Sequence, residues 1–140
     1  MTALDRQQAV FDAILSKLLG DAQLTALVGN RIFAAPTPNG PTPELTIRHL
    51  DSRDDSTSDT EGQIIAFEID VWDRYRAGQN LSGPRTIMSH IRRVLHRQPM
   101  TAAGCNVVVV SCAESQGPFR DEDNITLHGI VQVQVIAGHE

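Results

Sequence analysis

A stretch of strict alternation constrains the fold of this chain more than any other feature of its sequence. Between Gln63 and Asp73, large apolar residues occupy every second position and are separated by smaller, polar or aromatic ones. The apolar set is Ile65, Phe67, Ile69 and Val71, and the intervening set is Ala66, Glu68, Asp70 and Trp72. A period of two is that of a β-strand with one face in the core. The pattern predicts an antiparallel sheet, because such sheets can leave the other face in water.

Three further segments predict strands that pair with this one. Residues 44–50 alternate in the same way, and the polar segment 51–62 after them predicts a long hairpin connection. Residues 105–113 are β-branched and apolar on both faces, which predicts a central strand of the sheet. Residues 125–135 alternate again, after a predicted turn region at 114–124. The strands therefore form two β-hairpins.

Helical periodicity predicts two long helices and a short one. Apolar residues at helical spacing begin at Leu4, and this first helix ends near Gly20. Asp21 is then in place to cap the short helix that follows. The second long helix has Pro84 in its first turn, where the missing N–H is tolerated, and it ends before Pro99.

These elements predict one α+β domain over residues 1–140. Its sheet is mainly antiparallel, with about four strands from two β-hairpins, and two main helices pack on one face. A short extended piece at 31–34 and a proline-rich strap at 36–43 link the helices to the first strand. No apolar run approaches the roughly 20 residues of a membrane-spanning helix. The first residues also lack a signal-peptide pattern, so we expect synthesis in the cytoplasm.

Charge balance and cysteine spacing argue against two kinds of chemistry. The net charge is -5, and Lys17 is the only lysine. Proteins that hold phosphates need clustered Lys and Arg, so we expect no specific DNA binding. Cys105 and Cys112 are an odd number of residues apart. On one strand this spacing predicts opposite faces and no disulfide between the two.

The familiar catalytic and metal-binding patterns are absent from the sequence. A calcium loop that starts at Asp51 would place Ser56 at its glycine position, so the match fails. There is no HExxH, no GxSxG and no phosphate-binding P-loop. We therefore expect no catalytic residue, no metal and no cofactor. One alternative stays open, in which Glu68, Asp70 and His128 on a polar sheet face bind a small ligand or catalyse a reaction.

Two charged segments predict where the molecule meets a partner. The second long helix is rich in arginine and the hairpin connection is acidic, which gives the chain two surfaces of opposite charge. Such segments also occur as ordinary solvated surface. In the sharper interpretation, the basic helix of one subunit contacts the acidic connection of the next, and head-to-tail contacts close rings. The candidate interface residues are Arg53, Asp54, Asp55, Asp59, Glu61, Arg85, Arg92, Arg93, Arg97, Phe119 and Arg120.

The order of elements and several local motifs resemble those of a known family of virion proteins. The family is that of the tail completion, or tail terminator, proteins of long-tailed phages and gene transfer agents. The resemblance spans nearly the whole chain, with one departure: the family often has an aromatic residue after the strap, where this chain has Leu45 and Ile47. The matching pieces are the opening helix, residues 24–33 (LTALVGNRIF), the strap, residues 52–57 (SRDDST), residues 67–72 (FEIDVW), residues 91–96 and the closing strand at His128-Gly129.

The resemblance implies a structural role rather than catalysis. A member of this family would form a homo-hexameric ring that caps the finished tail tube and terminates its polymerisation. Its partners would be further copies of itself, the tail tube protein and a head–tail connector or stopper protein. DNA would pass through the ring lumen without specific binding. The resemblance thus places the protein in the virion tail, at the head-proximal end, with no cofactor and no membrane contact.

Overall fold

The computed structural model describes residues 5–37, 40–58, 62–75 and 81–139. Within these residues it confirms the α+β class, but the sheet has five strands rather than about four and includes one parallel pair. It packs with three helices, the two main ones of the prediction and the short one between them. No helix in this part of the chain is long and apolar enough to cross a membrane. The elements are α1 (Gln7–Leu19), α2 (Ala22–Val28), β1 (Ile32–Phe33), β2 (Glu44–Asp54), β3 (Gly62–Arg74), α3 (Ser82–Leu95), β4 (Cys105–Arg120) and β5 (Thr126–His139).

The additional strand comes from the short extended piece before the strap. The strand order is β1-β2-β3-β5-β4, in which β1 pairs in parallel with β2 and the other pairs are antiparallel. Ile32 lies opposite Leu45, and the Leu45 N–H donates to the carbonyl of Arg31 at 2.9 Å. Ile32 is buried, so the apolar character of this piece holds it against the sheet.

The core lies between one face of the sheet and the helices. α3 contributes an apolar stripe that includes Ile87, Ile91 and Leu95, which are four residues apart and therefore share one face. α1 packs against α3 and β2 and buries Ile14, while the predicted first apolar residue, Leu4, lies outside the described residues. The apolar alternation of β3 is fully buried, as predicted: Ile65, Phe67, Ile69 and Val71.

The prediction for residues 105–113 is wrong in position and in length. β4 lies at the edge of the sheet rather than at its centre, and the side chain of Val108 is 64% exposed. The strand also continues to Arg120, through most of the predicted turn region at 114–124. Long β-branched runs are typical of buried central strands. Here apolar residues at successive positions reflect irregular pairing of an edge strand, which changes the face to which its side chains point.

One of these irregularities also overturns the prediction for the cysteines. Val107 and Val109 pair with Ala137 and Ile136, which are neighbours on β5, so Val108 is an extra residue in a β-bulge. The insertion reverses the alternation between Cys105 and Cys112, so both side chains face the core. The two cysteines form no disulfide with each other in the described residues, but the reason given for this, opposite faces, is wrong.

Candidate interaction surfaces

Three of the predicted arginines lie in a row along the outer edge of β4. Arg85 and Arg92 are seven residues apart, which is about two helical turns, and therefore lie on one face of α3. They line a cavity of about 360 Å³ together with Glu114 of β4. Arg97 follows the helix and lines a second cavity against the valines at 107–110. We call Arg85, Arg92 and Arg97 the arginine row.

The end of α3 closes the middle of the β4 edge. Arg92 Nη1 donates to the carbonyl of Cys112 at 3.1 Å, and the Cys112 N–H donates to His96 Nδ1 at 3.0 Å. The backbone N–H of Arg97 donates to the carbonyl of Val110 at 2.8 Å. Backbone groups that would otherwise be open to another strand are thus satisfied within the chain.

The surroundings of His96 and of the Cys112 thiol determine their protonation states. A ring nitrogen that accepts an N–H carries no proton, so His96 is held in its neutral form. Burial first, and then the positive charges of Arg92 and Arg97, lower the pKa of His96. Burial raises the pKa of the Cys112 thiol to about 11, which keeps it protonated and unreactive at neutral pH.

Arg93 does not belong to the arginine row. It is one residue from Arg92 and therefore points about 100° away around the helix. Its Nη2 lies 2.6 Å from Asp21 Oδ2, and its Nε donates to His90 Nδ1 at 3.1 Å. The bond from Arg93, followed by the backbone N–H of Leu24, lowers the pKa of Asp21. Arg93 thus ties α3 to the capping residue of α2.

The predicted hairpin connection is partly strand. Of residues 51–62, the first four extend β2 to Asp54. The Asp55 N–H then donates to the carbonyl of Gly62 at 2.9 Å, and the Ser56 hydroxyl donates to Asp54 Oδ1 at 2.7 Å. The β2–β3 pairing therefore positions this charged segment, so that it is not a free loop over its described part.

The negative charge of this segment lies at the end of β2. Of the other predicted residues, Arg53 lies beside these carboxylates and offsets one charge, while Asp59 and Glu61 lie outside the described residues. The acidic corner, as we name it, consists of Asp51, Asp54 and Asp55.

The acidic corner and the arginine row lie at opposite edges of the sheet. β3 and β5 separate β2 from β4, which at about 4.8 Å per strand gives roughly 14 Å. Register places the Arg97 end of the row level with the corner, because Arg53 pairs with Ile64, Ile64 with Ile136, and Ile136 with Val109, which lines the cavity beside Arg97. Arg92 lies further along the sheet, since it bonds Cys112, which pairs with Val133. One molecule therefore presents opposite charges on its two sides.

The polar face of the sheet is occupied by its own network. Asp70 Oδ1 lies 2.8 Å from His128 Nε2, and the Trp72 ring stacks on the His128 ring with centroids 3.9 Å apart. Arg48 Nη2 donates to Glu68 Oε2 at 2.7 Å. The structure thus brings the three alternative site residues together: Asp70 contacts His128 and Glu68, and Glu68 also binds Arg48.

Burial is the main influence on the acid in that network. It raises the pKa of Asp70, the hydrogen bond and charge of Glu68 add to the increase, and His128 opposes it. Neither the cavities along α3 and β4, nor that between α1 and α3, nor that beside the strap is lined by any of the three side chains. The polar groups of Glu68, Asp70 and His128 therefore bind one another and their neighbours and do not line any of these cavities.

Phe119 and Arg120 lie at the other end of β4, away from Arg97. The Phe119 ring meets the His128 ring edge-on, with centroids 5.4 Å apart, and remains 41% exposed. The Arg120 guanidinium carbon lies 3.6 Å from the centre of the Tyr75 ring. The predicted interface residues thus fall into separate groups rather than into one patch.

Sequence reasoning missed two side chains whose contacts matter most here. His96 lies at the end of the predicted second long helix, where the sequence marks no role for it, yet it binds the backbone of β4. Glu44 was assigned only as the first residue of a strand, yet it is buried beside the strap. The available signal for Glu44 was a carboxylate between a proline and an apolar strand, which is an unusual place for an exposed acid.

Comparison with known proteins assigns the family. Residues 12–138 match the family model of the tail completion protein gp17. A chain in a structure described as the virion of a native gene transfer agent (GTA) particle has the same fold, with a TM-score of 0.84 and 18% identity over 97% of this chain and 99% of that one. No curated protein matches by sequence. The chain therefore belongs to the tail completion protein gp17 family, a family of structural virion tail proteins rather than an enzyme class.

Proposed function

We propose that this protein closes the head-proximal end of a phage-like tail as a homo-hexameric ring. In that position it stops polymerisation of the tail tube and provides the surface to which a head–tail connector or stopper protein binds. Membership of the tail completion family and the fold shared with a chain of a gene transfer agent virion support this role.

The observation that carries the proposal is the placement of opposite charges at opposite edges of one sheet. When the arginine row of one copy faces the acidic corner of the next, the same contact can repeat around an axis. A contact between two different surfaces closes into a ring or grows into a filament, whereas a contact of one surface with itself stops at two copies. The number six comes from the resemblance to the family.

The charge balance suits a ring through which DNA passes without being bound. The chain carries a net charge of -5, and its arginines are engaged by a carboxylate, a ring or backbone groups at several positions. Like charge suppresses adhesion of DNA to a channel wall. We expect the purified protein to leave duplex DNA unbound at physiological salt.

Two measurements on the intact protein test the proposal. Native mass spectrometry and negative-stain electron microscopy should give a ring of six subunits, either alone or on the ends of tail tubes assembled from the cognate tube protein. Tubes formed in its presence should stop growing. A strict monomer that leaves tube length unchanged at every concentration would contradict the proposal.

A further inference from the structure

A polar cavity lies beside the strap, at the end of the sheet opposite the acidic corner. Its volume is about 360 Å³, and the start of β2, the end of β3 and the β4–β5 turn surround it. Three carboxylates line it, those of Glu44, Asp73 and Asp123, and Trp72 forms part of its wall. Trp72 also stacks on His128 of the polar sheet face, whereas the arginine row contributes no side chain to the cavity. We call it the strap cavity.

One of the three carboxylates is buried without a full set of partners. Glu44 is 4% exposed; its Oε1 accepts the Thr37 N–H at 2.9 Å, whereas Oε2 is buried and accepts no hydrogen bond. Asp73 is 5% exposed, and its Oδ1 accepts the Arg74 N–H at 2.8 Å. Buried carboxylate oxygens are almost always hydrogen-bonded, because an unpaired one is costly. A donor from outside the chain would complete Glu44.

The remaining lining groups favour a cation with an apolar part. Hydrogen bonds from the backbone and side chain of Thr126, and then from the Ile125 N–H, lower the pKa of Asp123 to about 2, so its charge persists at any ordinary pH. Arg74 is the only cationic side chain among the lining residues, against three acids. Ile125 is 48% exposed and, with Trp72, supplies an apolar wall. Aromatic rings attract cations over their faces.

The arrangement suits an organic cation better than a metal ion. In the described residues there is no group of three or more His, Cys, Asp or Glu side chains that could hold a metal. A guanidinium is planar, carries five N–H donors in fixed directions, and can bond to separate carboxylates while it stacks on an indole ring. Its donors match the unpaired Glu44 Oε2, and its flat face matches the side of Trp72 that is not stacked on His128.

We propose that the strap cavity binds a guanidinium group, supplied by an arginine side chain of a protein partner. Glu44 and Asp73 accept its N–H groups, Trp72 packs against its face, and Asp123 adds negative charge at the rim. The site does not depend on the ring, because none of its residues belongs to the acidic corner or the arginine row.

Trp72 provides the readout, since it is the only tryptophan of the chain. Titration with N-acetyl-arginine-N-methylamide, which mimics an arginine within a peptide, should change Trp72 emission in a saturable way at constant ionic strength. Free arginine tests the other source of the same chemistry, a small molecule. Saturation by free arginine without saturation by the capped compound would overturn the assignment to a protein side chain, and equal saturation by calcium chloride would overturn the guanidinium.

Isosteric variants separate the site from nonspecific charge. Glu44→Gln keeps the acceptor for the Thr37 N–H, so the fold should survive, and it should raise the dissociation constant about tenfold or more through loss of a charge-assisted hydrogen bond. Asp51→Asn removes one carboxylate far from the cavity and should leave the constant unchanged. No saturable response in the native chain, or equal constants in the two variants, would refute the proposal while leaving the ring mass as it was.

Discussion

The two long edges of the sheet are finished in opposite ways. On the β4 side, the end of α3 reaches over and bonds the strand backbone at Val110 and Cys112. On the β2 side, β1 pairs only with Leu45 and Thr46, and no other described strand pairs with the rest of that edge. The closed edge is basic and the open one ends in acids. Charged residues at an edge are a common protection against unwanted strand pairing.

The difference indicates how copies of the chain can meet. Two identical edges would favour pairing of like with like around a two-fold axis, and such a contact saturates at a dimer. Two edges that differ in both charge and backbone exposure favour a contact between unlike surfaces. Complementary charge of this kind fixes the register and the choice of partner more than it raises affinity.

The largest effect should follow from reversing the charge of the arginine row. The double variant Arg92→Glu/Arg97→Glu places acids opposite the acidic corner, and like charges across an interface cost several kcal/mol. At about 3 kcal/mol or more, self-association weakens roughly a hundredfold. Sedimentation velocity over a concentration series measures the change, and a circular dichroism melt confirms that the variant folds.

A control with the same change in net charge accompanies this test. Lys17→Glu/Arg74→Glu alters two cations that lie outside both surfaces, and should leave self-association close to that of the native chain. If both double variants weaken association equally, net charge rather than the arginine row controls assembly. That result would contradict the claim that the difference between the two edges determines how copies associate.

The next largest effect concerns the closure of the β4 edge by His96. His96→Ala leaves the Cys112 N–H without its acceptor, which should lower the free energy of unfolding and the urea midpoint. His96→Asn keeps an acceptor near the position of Nδ1 and should recover part of the loss. Urea unfolding measures both. His90→Ala, on the same helix, should change the value by less than about 0.5 kcal/mol.

The same residue gives a pH dependence of known sign. The pKa of His96 is lower in the folded chain than its ordinary value of 6.5, so the unfolded chain binds the proton more readily. Stability from neutral His96 is therefore present above pH 6.5 and is lost as the pH falls below it through the folded pKa. The decline should be smaller in His96→Asn, and an identical decline would exclude His96 as its source.

The sequence was sufficient for the parts of the fold that depend on local pattern. The alternation of β3, the stripe of α3 and the cap of Asp21 on α2 are confirmed, because each depends on residues a few positions apart. The position of β4 was not predictable in this way. The sequence pattern does not reveal the bulge at Val108. The bulge reverses the alternation of side chains, so an edge strand has the sequence pattern of a strand that is apolar on both faces.

The candidate surfaces show the same limit. Helical spacing was sufficient to group Arg85 with Arg92. It could not show that Arg93 is committed to Asp21, because that contact joins residues 72 positions apart. The strap cavity was invisible for the same reason, since it forms only where two strand ends and a turn converge.

The smallest effect is expected at the turn that joins the edge strand β4 to its neighbour β5. Asp123 accepts three hydrogen bonds from Ile125 and Thr126, which lower its pKa to about 2. Its contribution to stability is therefore present above the ordinary value of 3.8 and is lost as the pH falls from there through about 2. Asp123→Asn should reduce acid destabilisation in this window, measured by thermal melts. Glu122→Gln, next to it, should not.

The contrast between the edges is tested most directly by mixing two charge-reversed chains. One carries Arg92→Glu/Arg97→Glu, and the other carries Asp54→Lys/Asp55→Lys, so each fails to match itself but matches the other on both sides. We predict that each is monomeric alone and that an equimolar mixture assembles, with native mass spectrometry finding equal numbers of the two chains in one ring. A mixture that stays monomeric, or either chain alone assembling as the native protein does, would contradict assembly through the arginine row and the acidic corner.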